Sequence, residues 1–177
     1  MYSCIPCIHH LCITYTHIIT YTIRMAHDNY NDDLNIDLLT RAAENEDNAH
    51  MLELTMESVI AAKMGILNDL SLDDDEKNSI MEKLKGYVYI DEIHEVRSGT
   101  YVRWLNMEYD DDTAIVVTSL AKGGIFCDIR FSDYGAVMRC KTFRNQYYEV
   151  KLDNVILFRK LTPQEQVLMC ALTYLHT

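Results

Sequence analysis

The motifs by which catalytic folds hold phosphate or raise a nucleophile are missing from this sequence. There is no Gly-x-x-x-x-Gly-Lys-Ser/Thr loop, and the adjacent glycines Gly123 and Gly124 fall in an expected hairpin with no helix after them. Backbone N–H groups are therefore not aligned at a helix start to cradle phosphate. No Gly-x-Ser-x-Gly or His-Glu-x-x-His run occurs, which removes the serine-elbow and helical zinc-hydrolase signatures. After Gly86 the histidines are His94 and His176, and neither is spaced to activate Cys127 or Cys140 as a nucleophile. The run Asp73-Asp74-Asp75-Glu76 fails as a calcium loop, because no starting Asp has Gly at the sixth position and Glu at the twelfth. Asp110, Asp111 and Asp112 read as a solvated hairpin tip rather than a cation site. The expectation is a chain that is not an enzyme and needs no cofactor.

Long apolar runs are absent as well. None reaches the roughly 18 residues of a membrane span, and no basic stretch precedes a pure apolar core at the N-terminus, as a secretory leader would need. The six cysteines, at positions 4, 7, 12, 127, 140 and 170, show no close pairing beyond the first three. Cysteines dispersed among apolar neighbours, as in Phe126-Cys127 and Met169-Cys170, behave as small buried hydrophobes in a reducing compartment. An intracellular protein without a membrane contact is expected.

What is present is unevenly charged. The formal net charge is -11 over 177 residues. Residues 25–85 hold fifteen acids against five bases, whereas residues 86–177 hold twelve against ten. An acidic chain is repelled by nucleic acid and by anionic membrane, so contact with either needs a local basic face. The acidity belongs to the front of the chain, which leaves the back free to carry such a face.

Three regions follow. Residues 1–24 mix Ile, Thr, Tyr, His and Cys in the low-complexity manner of translated AT-rich repeats, and Met25 opens a polar segment of different composition. The expectation is a non-native or disordered extension, with Met25 as the genuine start. A competing reading is a metal site: Cys4, Cys7, Cys12 and His17 have thiolate and imidazole spacing suited to zinc. That set permutes the usual knuckle order and lacks its glycines and flanking bases. Residues 25–85 form the acidic helical region. From about Asp47 to Leu70, the residues Leu52, Met56, Val59, Ile60, Lys63 and Leu67 recur at helical steps. Ser71 is the expected cap of the next helix, with Asp73 to Glu76 in its first turn, Lys83 and Lys85 in its last, and Gly86 ending it. A helical hairpin is expected.

Residues 86–177 form a β-rich module. The period becomes two, with expected strands at Tyr87–Ile90, Thr100–Asn106, Ala114–Ser119, Ile125–Phe131, Ala136–Lys141, Gln146–Leu152 and Val155–Arg159, separated by turn-forming residues. Ile125, Cys127, Ile129 and Phe131 alternate with Asp128 and Arg130, and Ala136, Met138 and Cys140 alternate with Val137, Arg139 and Lys141. That is one dry face and one wet face. The fold class expected is α+β: a helical hairpin, then a small antiparallel β-barrel or rolled sheet of SH3-like size, closed by a C-terminal helix. Trp104 is its expected core anchor; an aromatic cage around it cannot be assembled from one strand. Thr162, Pro163 and Glu165 spell the start of the last helix.

Two surfaces are candidates for function. Arg103, Arg130, Arg139, Lys141, Arg144 and Lys151 recur in the module with Phe126, Phe143 and Tyr147 beside them. Cations for phosphate and aromatic planes for bases are what small β-modules use to hold single-stranded nucleic acid. The plainer reading balances these cations against Asp128, Asp133, Glu149 and Asp153 on a solvated face. The second surface is the stripe Leu168, Ala171, Leu172 and Leu175 on the last helix, which either plugs the sheet or docks a protein partner. The leading expectation is a non-catalytic interaction module with a protein partner; nucleic-acid binding is the alternative.

The runs Lys85-Gly-Tyr-Val-Tyr-Ile-Asp-Glu-Ile93, Gly99-Thr-Tyr-Val-Arg-Trp-Leu105, Gly123-Gly-Ile-Phe-Cys127 and Phe158-Arg-Lys-Leu-Thr-Pro-Gln-Glu-Gln-Val167 resemble an uncharacterised protein family of nucleocytoplasmic large DNA viruses of algae and protists. The resemblance spans Leu84 to Leu175, about half of the chain. It implies a virus-encoded protein acting in an infected cell or packaged in a virion. It carries over no catalytic or binding residue.

Overall fold

The computed structural model describes residues 36–109, 115–133 and 135–175. The four candidate zinc ligands, the region before Met25 and the Asp110–Asp112 run lie outside these residues. Two compact units are distinguished. One is Ser58–Leu161; the other is formed by the described residues before Ser58 and after Leu161.

The second unit is helical. Helix α1 (Ile36–Glu44) leads into a 3₁₀ segment (Glu46–Glu53), and both pack with the last helix, α4 (Pro163–Leu175). Leu39, Ala42 and Met51 are buried, as are Leu168, Met169 and Leu172. Polar contacts fix the pairing: Asn45 Nδ2 donates to Gln164 Oε1 at 3.0 Å, and the Met56 amide donates to Thr173 Oγ1 at 3.2 Å. The expected start of α4 is confirmed in detail. Thr162 N donates to Glu165 Oε2 at 2.7 Å and Glu165 N donates to Thr162 Oγ1 at 3.2 Å, a reciprocal capping box.

The helical run expected from Asp47 to Leu70 is broken. Leu54 is extended (φ -101°, ψ 127°) and ends the 3₁₀ segment, and helix α2 starts afresh at Met56 and runs to Asn68. Hydrophobic spacing alone does not reveal such a break, because the apolar steps continue across it. Helix α3 (Asp74–Lys83) is capped by Asp73 rather than Ser71. Asp73 Oδ1 accepts from Glu76 N at 2.7 Å, and Glu76 Oε2 accepts from Asp73 N at 3.1 Å. A carboxylate satisfies the orphan amide and also meets the positive helix end, so it outcompetes the hydroxyl two residues earlier.

The other unit carries a seven-stranded antiparallel sheet. Its strands are β1 (Tyr87–Ile90), β2 (Tyr101–Tyr109), β3 (Ile115–Leu120), β4 (Gly124–Ser132), β5 (Gly135–Lys141), β6 (Tyr147–Lys151) and β7 (Val155–Lys160). The order is β1-β7-β2-β4-β5-β6, with β3 also on β2. This corrects the barrel expectation: the sheet is not closed, and β1 and β6 end its path. The long strand β2 explains the branching. It pairs with β7 along Val102–Asn106, and on its other side with β4 at Tyr101–Val102 and then with β3 from Leu105 to Tyr109.

One face of β1-β7-β2 is covered by α2 and α3. Leu67 of α2, Ile80 of α3, and Leu70 and Leu84 just beyond the ends of those helices meet Leu105 and Phe158 from β2 and β7 in one buried cluster. Each such side chain contributes about 1.5–3 kcal/mol when taken from water. The C-terminal carbonyls of α3 are met by two cations: Lys63 Nζ donates to Leu84 O at 3.1 Å, and Arg103 donates to Lys83 O at 2.8 Å. Both neutralise the negative helix end. Burial lowers the Lys63 pKa.

The opposite face carries Trp104, buried as expected, with its ring 6.1 Å from that of Tyr148. Gly123 (φ +90°) and Gly124 let β4 begin close beside its neighbours. A Cβ on Gly123 would run into the Val102 carbonyl, and one on Gly124 into the Tyr148 hydroxyl.

Candidate functional site

Past β2 the helix-covered face of the sheet continues over β4, β5 and β6, where the exposed side chains are polar and aromatic. Its residues are set by register. Val137, Arg139 and Lys141 of β5 face outward, because Met138 and Cys140 between them are fully buried. On β6, Tyr147 lies opposite Lys141, Glu149 opposite Arg139 and Lys151 opposite Val137. On β4, Asp128 lies opposite Arg139 and Arg130 opposite Val137.

A bulge controls β4. The register shifts between Phe126 and Asp128, so the strand changes which face its alternate residues present. Phe126 pairs with Cys140 and is buried, whereas Ile125 pairs with Lys141. Strict alternation puts Ile125 and Cys127 with the core and Phe126 outside; the extra residue reverses that. Phe126 is therefore not an exposed stacking residue.

The outer face is braced by ion pairs. Arg139 binds Asp128 through a close Nη2–Oδ2 contact, while Arg130 lies 3.8 Å from Asp128 Oδ1 and 3.6 Å from Glu149 Oε1. Asp128 thus holds Arg139, whereas Arg130 makes longer, more exposed pairs with Asp128 and Glu149. The Arg139 guanidinium also sits 5.4 Å from the centroid of the Tyr147 ring, in cation–π range. Lys141, Arg144 and Lys151 make no ion pair among the described residues. Five cations stand against three acids, Asp128, Glu149 and Asp153, the last with its carboxylate over Gly135, which leaves a small local positive excess on an acidic chain.

The β5–β6 turn presents the aromatic element. Thr142 Oγ1 accepts from Arg144 N at 3.3 Å and from Gln146 N at 3.2 Å, and the Thr142 and Gln146 backbones close the loop at 2.9 Å. Asn145 takes the left-handed conformation the turn requires (φ 59°), which Asn tolerates. Phe143 is left 79% exposed, its ring lying nearly parallel to that of Tyr101 at 5.5 Å. Tyr147 is 61% exposed.

The structure therefore brings together Arg130, Arg139, Lys141, Phe143, Arg144, Tyr147 and Lys151. It separates Arg103, which is spent on Lys83 O and on Ala121 O at 3.0 Å. The stripe on α4 is not open either: Leu168 and Leu172 are buried, and Ala171 and Leu175 are partly so. Tyr101 as the brace of Phe143 is not legible in the sequence, for the contact joins β2 to the β5–β6 turn, about forty residues away.

Burial pushes the Cys140 thiol up to about 12, with Cys127 adding to the effect. Burial likewise pushes Tyr148 up to about 12. A thiol so protonated is a packing group at neutral pH rather than a nucleophile. Cys127 is partly exposed and Cys170 exposed, so only Cys140 is the fully buried small hydrophobe that was expected of all three. His94 is exposed and lies 3.0 Å from Glu92 in a short turn. Among the described residues no group of three His, Cys, Asp or Glu is placed to hold a metal, and no helix is long and apolar enough to cross a membrane. Comparison with protein-family models, with curated proteins and with solved structures gives no match.

Proposed function

We propose that this chain is a non-catalytic interaction module that holds nucleic acid on the outer face of β4-β5-β6. The carrying observation is convergence: Arg130, Arg139, Lys141 and Lys151 share one face of the sheet, and Arg144 stands in the turn at its end. Lys141, Arg144 and Lys151 supply mobile charge for phosphates, while the braced Arg139 fixes the geometry. The net acidity of the chain keeps long-range attraction weak, so affinity rests on this local patch. A protein partner on the α4 stripe is the less favoured reading, since Leu168 and Leu172 are buried. The setting in an infected cell rests on the sequence resemblance alone.

Salt titration tests this. Three released counterions give a slope of about -2 in log affinity against log salt for a single strand. Lys141→Glu with Lys151→Glu is expected to flatten that slope and weaken binding. Absence of binding at low salt would sink the proposal.

A further inference from the structure

We infer that Phe143, backed by Tyr101 and held out by the Thr142–Gln146 turn, is a stacking platform for one unpaired base, so that the face selects single strands over duplex. The inference rests on the nucleic-acid reading and deepens it by naming the class of ligand.

Four observations support it. Phe143 is 79% exposed, so the fold gains little from burying it. One side of its ring is already occupied by Tyr101, in a near-parallel stack at 14° between planes. Tyr101 is itself fixed, because its hydroxyl donates to Lys122 O at 3.0 Å. The turn that carries Phe143 is tied by the Thr142 side chain and backbone at both ends. A base arriving on the free side would extend an existing two-ring stack without first ordering a loop, and preorganisation of this kind raises affinity.

The neighbours fit the rest of a nucleotide. Lys141 and Arg144 flank Phe143 in sequence and supply charge for the phosphates beside a stacked base. Tyr147 is occupied differently, for Arg139 already lies over its ring. Duplex DNA hides its base faces within the helical stack, so it can meet the cations but not the platform. An unpaired base has a free face to offer. Phe143 is the contacting residue and Tyr101 a positioning residue.

The experiment compares three labelled probes on the full chain: a short thymidine strand, an abasic strand of equal length, and a hairpin duplex. The thymidine strand is expected to bind about tenfold more tightly than the abasic one. Phe143→Leu should abolish that preference while leaving the salt slope unchanged. Tyr101→Leu should reduce it, and Tyr101→Phe, which keeps the ring but loses the bond to Lys122 O, should reduce it less. Since Phe143 is exposed, its replacement is expected to leave the thermal midpoint in place, which checks that the fold survives. Salt-dependent binding with no preference for bases overturns the platform and leaves the phosphate-binding reading standing. A preference that persists in Phe143→Leu, or duplex bound as tightly as the single strand, also overturns the platform. No binding of any probe overturns both.

Discussion

The two halves of the sheet face are built from the same alternation and end differently. Over β1, β7 and β2 it is covered by α2 and α3, and its one arginine, Arg103, is consumed in capping α3 and bonding Ala121. Over β4, β5 and β6 it carries the exposed Arg130, Tyr147 and Lys151, and its arginines pair with Asp128 and Glu149. The same residue type serves the fold in one half and remains available in the other. What decides is the helical pair above, not the local sequence of the strand.

A stability series sharpens that contrast. Phe158→Ala empties the covered half at its most buried aromatic, with an expected loss of about 3–5 kcal/mol. Arg103→Leu removes charged hydrogen bonds to two carbonyls and is expected to cost about 2 kcal/mol. Arg130→Ala in the open half should stay within about 0.5 kcal/mol, since its partners are exposed and water replaces them. Denaturant midpoints rank the three. An Arg130 effect as large as that of Arg103 would erase the distinction between the halves.

Alkaline pH gives a smaller effect. Burial keeps Cys140 and Tyr148 protonated, each pushed up to about 12. Unfolding frees both groups to ionise near their ordinary values, so above about pH 9 the unfolded chain binds fewer protons and stability falls as pH rises. Lys63 acts oppositely. Its pKa is lowered by burial, so between that lowered value and the ordinary lysine value the unfolded chain binds more protons and stability rises with pH. The two effects overlap, so the thiol is read as a difference: Cys140→Ala should make the urea midpoint fall less, or rise more, with increasing pH than it does in the parent protein. An unchanged slope in the variant would show that the thiol is not the source.

Much of the fold was legible in the sequence, because period-two runs broken by Gly, Asn and Asp are local signals. The boundaries of β1 and the capping box of α4 were read as they stand. The bulge at Cys127 was not, for an extra residue leaves the hydrophobic count unchanged while reversing the face of Phe126. Closure of the sheet is a question of which strands end it, and no residue of β1 or β6 encodes that by itself. The pairing of α1 with α4, carried by Asn45 and Gln164, joins opposite ends of the described chain. The cations of the candidate face were visible as types, but only register showed that Arg103 belongs elsewhere.

The most direct test is a map of backbone amide shifts as a short thymidine strand is titrated into the protein at low salt. Shifts are expected to concentrate at Asp128–Arg130 and from Arg139 through Lys151, with β1 and β7 unmoved. Shifts centred on Tyr87–Ile90 or on α4, with the β5–β6 hairpin silent, would contradict the proposed face.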